Sequence, residues 1–188
     1  MKKRLLLTAL FVSVSAAGML AQPKWMDPKV NEENRAAAHS DFFAYESATL
    51  AEAAYGDFSD PSFGKAASSR FLSMDGDWRF QFSVDHDKAP AGFEAVGYDD
   101  SAWNLFPVPG LFEILGYGDR IYKNTGYSWS NQFTSRPPYI EERNNYTGSY
   151  RRTFRIPADW KGMKTYVHIG SATSNVTLWV NGQYVGYS

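Results

Sequence analysis

Two adjacent carboxylate pairs, Asp99-Asp100 and Glu141-Glu142, and the segment Tyr122-Lys123-Asn124-Thr125-Gly126-Tyr127 carry the side chains of this 188-residue chain best suited to chemistry. Cleaving a glycosidic bond takes two carboxyls about 5 to 10 Å apart across the substrate. Neighbours along a strand point to opposite faces, and neighbours in a loop stand in solvent, so both acid pairs read as solvated surface. Asn124 is different. Its amide offers a donor and an acceptor, which suits a sugar hydroxyl, and Tyr122 and Tyr127 could line a pocket around it. The same spacing also fits a turn in which Asn124 bonds its own backbone.

Other chemistries have less to stand on. The chain has no cysteine, hence no thiol nucleophile and no thiolate metal site. His39, His86 and His168 are far apart and none shows zinc-ligand spacing. No Gly-x-Ser-x-Gly, no Gly-x-Gly-x-x-Gly and no phosphate-binding loop occurs. Gly116-Tyr117-Gly118 lies in loop-like sequence with no helix after it. A net charge of -1 gives no electrostatic case for nucleic acid or for an anionic membrane. Asn145-Tyr146-Thr147 and Asn175-Val176-Thr177 match the glycosylation pattern, which is frequent by chance. Aromatics make up 16 % of the chain, a density that suits a β-rich core first and sugar stacking second.

The elements expected to position these residues are strands. Asn181-Gly182 supplies the two positive-φ residues of a type I′ turn, between Val176–Val180 and Gln183–Tyr187. Val176, Leu178 and Val180 are expected on one face, Thr177 and Trp179 on the other. After the Asp75-Gly76 turn, Trp78, Phe80 and Phe82 alternate with polar residues as a half-buried strand does. Trp103 to Val108, Gly148 to Ile156 and Thr165 to Ile169 read as further strands, with Val167 and Ile169 inward. Residues 111–138 form a long excursion rich in Gly, Tyr, Asn and Pro, and such segments usually carry function. Little helix is expected: a turn over Glu32 to Ala38, and a short helix from Ser47 to Tyr55 ended at Gly56. This pattern is an all-β sandwich. A hairpin normally pairs further, so Ser188 reads as a cut that leaves an open edge after Tyr187.

Met1-Lys2-Lys3-Arg4, an apolar run from Leu5 to Leu20 and the small residue Ala21 read as a secretory signal peptide. The run is shorter than the roughly 20 residues of a membrane span. Cleavage is expected after Ala21, with Ala17 the alternative. The chain then divides into residues 1–21, signal peptide; 22–69, an N-terminal arm and loop; and 70–188, an incomplete sandwich domain. Export to the periplasm or the outside is expected, with no membrane association after cleavage.

Several of these segments together resemble the N-terminal part of secreted β-galactosidases of glycoside hydrolase family 2. The arm Trp25-Met26-Asp27-Pro28-Lys29-Val30, with Asn34-Arg35 and His39, is similar to that of the large bacterial enzymes. Leu72 to Phe80 resembles the family's opening strand. Val108-Pro109 with Gly116-Tyr117-Gly118 and Ile121-Tyr122-Lys123-Asn124 is similar to the next motif. Pro137-Pro138-Tyr139 with Gly148 to Phe154 resembles the third, and Leu178 to Ser188 the fourth. The resemblance implies a jelly-roll β-sandwich of the galactose-binding kind, called the sugar-binding domain. It implies catalytic glutamates on a downstream barrel, where the parent enzyme's Mg or Na would also sit; no cofactor is expected in this chain. It implies that Asn124 reaches into the sugar pocket, which favours the ligand reading over the turn. Gly110-Leu111-Phe112-Glu113 departs from the family's Ser-Asn-Trp-Glu, and Lys123 and Gly126 are also departures. No catalytic residue is expected here, and the partners implied are a β-galactoside, the downstream domains and an oligomer. The rival readings are a free-standing carbohydrate-binding module, an inert gene fragment and, within the family, a β-glucuronidase or β-mannosidase.

Overall fold

The computed structural model describes residues 23–40, 42, 44–54, 65, 67–120, 140–141 and 143–188. Residues 1–21, read above as a signal peptide, and Asn124 fall outside these. What is described is mostly strand with little helix. A short 3-10 turn, Lys24–Met26, opens the arm, and one helix follows, α1 (Ala48–Ala54). Ser47 starts it, its Oγ accepting from the Leu50 amide at 3.2 Å, as helix-entry serines do. The strands are β1 (Gly76–Ser83), β2 (Asn104–Val108), β3 (Thr147–Arg151), β4 (Thr177–Val180) and β5 (Gln183–Tyr187). They form two antiparallel sheets, one ordered β2-β1-β3 and one the β4-β5 hairpin, in a sandwich-like arrangement.

β1 lies between β2 and β3, and its alternation puts Trp78, Phe80 and Phe82 on one face. Phe80 is fully buried and Phe106 nearly so. The Phe80 ring lies 4.5 Å from Phe106, 4.7 Å from Tyr150 and 4.9 Å from Tyr117, centre to centre. Phe82 extends the cluster to Tyr146 and Phe112. Rings at such separations, tilted or edge-on, attract beyond simple area burial. Gly148 sits beneath them because a Cβ there would stand 2.8 Å from Tyr150 and 2.9 Å from Phe80. On the opposite face Arg151 binds Asp100 (Nε to Oδ2, 2.8 Å) and the Phe93 and Ala95 carbonyls. A second aromatic run, Tyr98–Trp103–Phe93–Trp179, carries packing from this loop to the hairpin.

The hairpin turn is the one expected: Asn181 has φ +51° and Gly182 +77°. Three other expectations fail. The third strand ends at Arg151, because Arg152 turns its guanidinium onto the Met74 and Asp75 carbonyls (2.5 and 2.8 Å). Phe154 and Ile156 are exposed. Residues 165–169 form no strand, and Val167 and Ile169 are exposed; among the described residues no neighbouring strand answers their amides, and an extended segment without a ladder is not a strand. Glu32 to Ala38 forms no helical turn. Instead Glu33 pairs with Tyr187 across two backbone hydrogen bonds, of 2.8 and 3.1 Å. Asn34 Nδ2 donates to the Val185 carbonyl at 2.9 Å. The arm thus covers the edge of β5 that the sequence left open.

Replacing Phe80 by alanine should remove the ring on which three others converge, at a cost of about 3–5 kcal/mol. Urea unfolding of the native and Phe80→Ala chains measures it; a change below about 1 kcal/mol would contradict this placement of the core.

Candidate functional site

Asn124 is the residue the sequence puts forward, and it lies outside the described residues; the stem of its segment lies within them. Phe112 and Tyr117 lean on β1 through Phe82, and Asn104 Nδ2 donates to the Tyr117 hydroxyl at 3.2 Å. Gly118 follows at φ +69°, and a Cβ there would stand 2.8 Å from the Tyr146 ring. Only glycine brings the backbone that close. Asp119 then accepts the Tyr146 hydroxyl at 2.5 Å. Arg120 donates to the carbonyls of Glu113 and Ile114, at 3.1 Å each. The stem is therefore clamped to both ends of its own loop and to the approach to β3.

The titration of the tyrosines here follows from their surroundings. The Tyr146 hydroxyl is pushed up, first by its bond to the Asp119 carboxylate and then by burial. Tyr150, beneath the cluster, is pushed up to about 12, mainly by burial and secondarily by the Glu113 charge.

The carboxylates do not converge. Asp100 is not the solvated acid expected but the partly buried partner of Arg151. Its neighbour Asp99 accepts the Ser101 amide at 3.0 Å. Glu141 is partly exposed and Glu142 lies outside the described residues. Among the described residues no group of three or more His, Asp or Glu side chains gathers as for a metal ion, and none of their helices is long and apolar enough to cross a membrane.

A second feature was not foreseen. A shallow hollow of about 330 Å³ lies between arm and hairpin, lined by Lys24, Trp25, His86, Thr177, Trp179, Tyr184 and Tyr187. Thr177 and Trp179 share a face as alternation requires. Tyr184 and Tyr187 join them because the register shifts between Leu178, opposite Gly186, and Trp179, opposite Tyr184; the extra residue, Val185, reverses the parity of β5 as a bulge does. The polar groups at its rim serve one another. Lys24 Nζ donates to Glu33 and, at 2.9 Å, to the Tyr184 hydroxyl, which itself donates to Glu33 at 2.6 Å. Lys24 also stands 4.0 Å over the Tyr184 ring. The Glu33 carboxyl is held below its usual range by the Lys24 hydrogen bond first and the Tyr184 bond second.

Comparison with known proteins gives these features a context. The model of the sugar-binding domain of glycosyl hydrolases family 2 matches residues 71–188. A β-galactosidase of Halalkalibacterium halodurans is 33% identical over 165 residues, which is 87% of this chain and 15% of that protein. A β-galactosidase large subunit of Leuconostoc lactis is 31% identical over 183 residues, 90% of this chain and 27% of its own length. A β-galactosidase of Priestia megaterium is 29% identical across 88% of this chain and 15% of its own length. The chain spans between about a seventh and about a quarter of these relatives.

Because folding keeps Tyr150 neutral, stability from that residue should be fully present below about pH 10, where the unfolded tyrosine ionises, and be lost as pH rises through about 12. Absorbance at the phenolate band should show a late-ionising tyrosine that disappears in Tyr150→Phe, and that variant should lose less stability on going alkaline. Ionisation of every tyrosine together near pH 10 would contradict the buried setting.

Proposed function

Because this chain belongs to the glycosyl hydrolases of family 2, through their sugar-binding domain, we propose that it serves as the N-terminal domain of an exported enzyme that hydrolyses terminal β-D-galactosides with retention. One carboxyl of such an enzyme protonates the leaving oxygen and a second forms the glycosyl intermediate. We assign both to sequence outside these 188 residues, together with any Mg or Na. The observation that carries the reading is the match over residues 71–188 combined with the three relatives named above, each a β-galactosidase or its large subunit. Those relatives also favour a β-galactoside over a β-glucuronide or a β-mannoside.

In this reading the chain folds as a jelly roll and contributes one substrate contact, Asn124, from the segment that leaves the clamped stem Gly118–Arg120. Lys123 and Gly126 depart from the family's motif, whereas Tyr122, Asn124 and Tyr127 match it. The aromatic hollow favours a second reading, a free-standing carbohydrate-binding module, since ring faces suit sugar C–H groups. Its polar rim, however, is already engaged internally. The basic start, apolar run and Ala21 support export to the periplasm or beyond, and an oligomer fits the proposal equally well.

Incubated with a chromogenic β-galactoside, the purified 188-residue chain should give no turnover above buffer, and turnover would place the catalytic acids within it. Titration calorimetry with galactose and lactose should give no saturable heat, because a single rim contact does not offset the cost of immobilising a sugar. Saturable heat would favour the free-standing module. The chain recovered after export should begin at Gln22; an N-terminus still at Met1 would remove the signal-peptide reading.

A further inference from the structure

We propose that His86 is an acid-sensitive latch that holds the N-terminal arm to the body of the domain, released when the imidazole takes up a second proton. The argument starts from which atoms carry hydrogen. The Trp25 indole Nε1–H only donates, and it lies 3.1 Å from His86 Nε2. Nε2 must therefore be the bare, accepting nitrogen. On the other side His86 Nδ1 is 3.2 Å from Thr147 Oγ1. Thr147 has one hydroxyl proton, and it points to the Asn145 carbonyl at 3.2 Å, so Oγ1 accepts from Nδ1–H. Two independent neighbours impose the same neutral tautomer. The chain of bonds runs one way, from arm to His86 to the start of β3.

An imidazolium carries N–H on both nitrogens. Protonation at Nε2 turns the acceptor of Trp25 into a donor facing a donor, and the bond is lost along with the edge-on ring contact of 4.6 Å that accompanies it. The surrounding charges do not rescue it. Lys24, from the arm, lines the same hollow and adds a like charge. Asp85, next in sequence, accepts the Asn144 amide at 2.9 Å. Asp87 is paired with Lys88 at 3.0 Å. Glu33, from the arm, and Tyr184, from the hairpin, are engaged with Lys24, and Tyr187 adds a buried phenol; the β3 neighbour, Thr147, is uncharged. Released at Trp25, the arm still has its attachments at Lys24 and Glu33–Arg35.

The test follows the arm by NMR on the whole 188-residue chain, from about pH 8 to about pH 5, where imidazoles titrate. The Trp25 indole Nε1–H resonance, identified by its loss in Trp25→Phe, should move together with the His86 ring protons. The exchange protection of the Glu33 and Tyr187 amides, which bridge arm and β5, should fall roughly five- to tenfold, the factor that loss of one part-buried hydrogen bond carries. Protection at Phe80 should hold. His86→Gln keeps a neutral acceptor for Trp25 and should hold the arm across the whole range. An indole signal indifferent to His86, the same acid loss in His86→Gln, or protection lost at Phe80 and Glu33 together would each overturn the latch.

Discussion

The structure depends on burying the Phe80 ring. It sits at the middle of the middle strand, at no measurable exposure, and the rings around it come from β2, β3 and the loop after β2. One aromatic side chain therefore brings together three segments that are distant in sequence. The loop that supplies Tyr117 is pinned by the same burial, and Tyr117 leads directly into the Gly118–Arg120 stem. The hydrophobic effect fixes the sheet, and through it the place from which the segment after Arg120 departs. A wide β-sheet surface covered by rings is a robust base for that job, because close-packed interiors pass displacement on instead of absorbing it.

What could be read from sequence was what neighbouring residues decide among themselves. The Asn181-Gly182 turn was legible because left-handed backbone at two successive positions is a local demand that few residue pairs meet. The aromatic alternation of β1 was legible for the same reason, and so was the short helix begun by Ser47. The failures share a different cause. Phe154, Ile156, Val167 and Ile169 alternate as strand residues should, yet a strand also needs a partner ladder, and alternation cannot say whether one stands alongside. Glu32 to Ala38 has fair helical composition, but the Tyr187 backbone claimed Glu33 instead. The shared face of Tyr184 and Tyr187 was hidden by a one-residue bulge at Val185, which inverts parity. The membership in glycosyl hydrolase family 2 was legible from motif order, whereas the setting of Asn124 was not a matter that local spacing could decide.

His86 shows the same limit at the level of chemistry. Its two partners, Trp25 and Thr147, each lie 61 residues away, one before it and one after. Nothing near His86 in sequence points to either. In isolation it was one of three scattered histidines without metal spacing; in the fold it is the middle member of a directed hydrogen-bond chain. The sandwich places it there because β3 runs beside β1 and the short turn His86–Lys88 follows β1 directly.

The stitch between Glu33 and the hairpin also bears on the order of events in time. Tyr184 and Glu33 are 151 residues apart, so the arm is synthesised well before its partner strand. Closing so large a loop carries an entropic cost that grows slowly with length, but the contact has no partner at all until the hairpin has been made. The arm therefore docks only after the hairpin has formed.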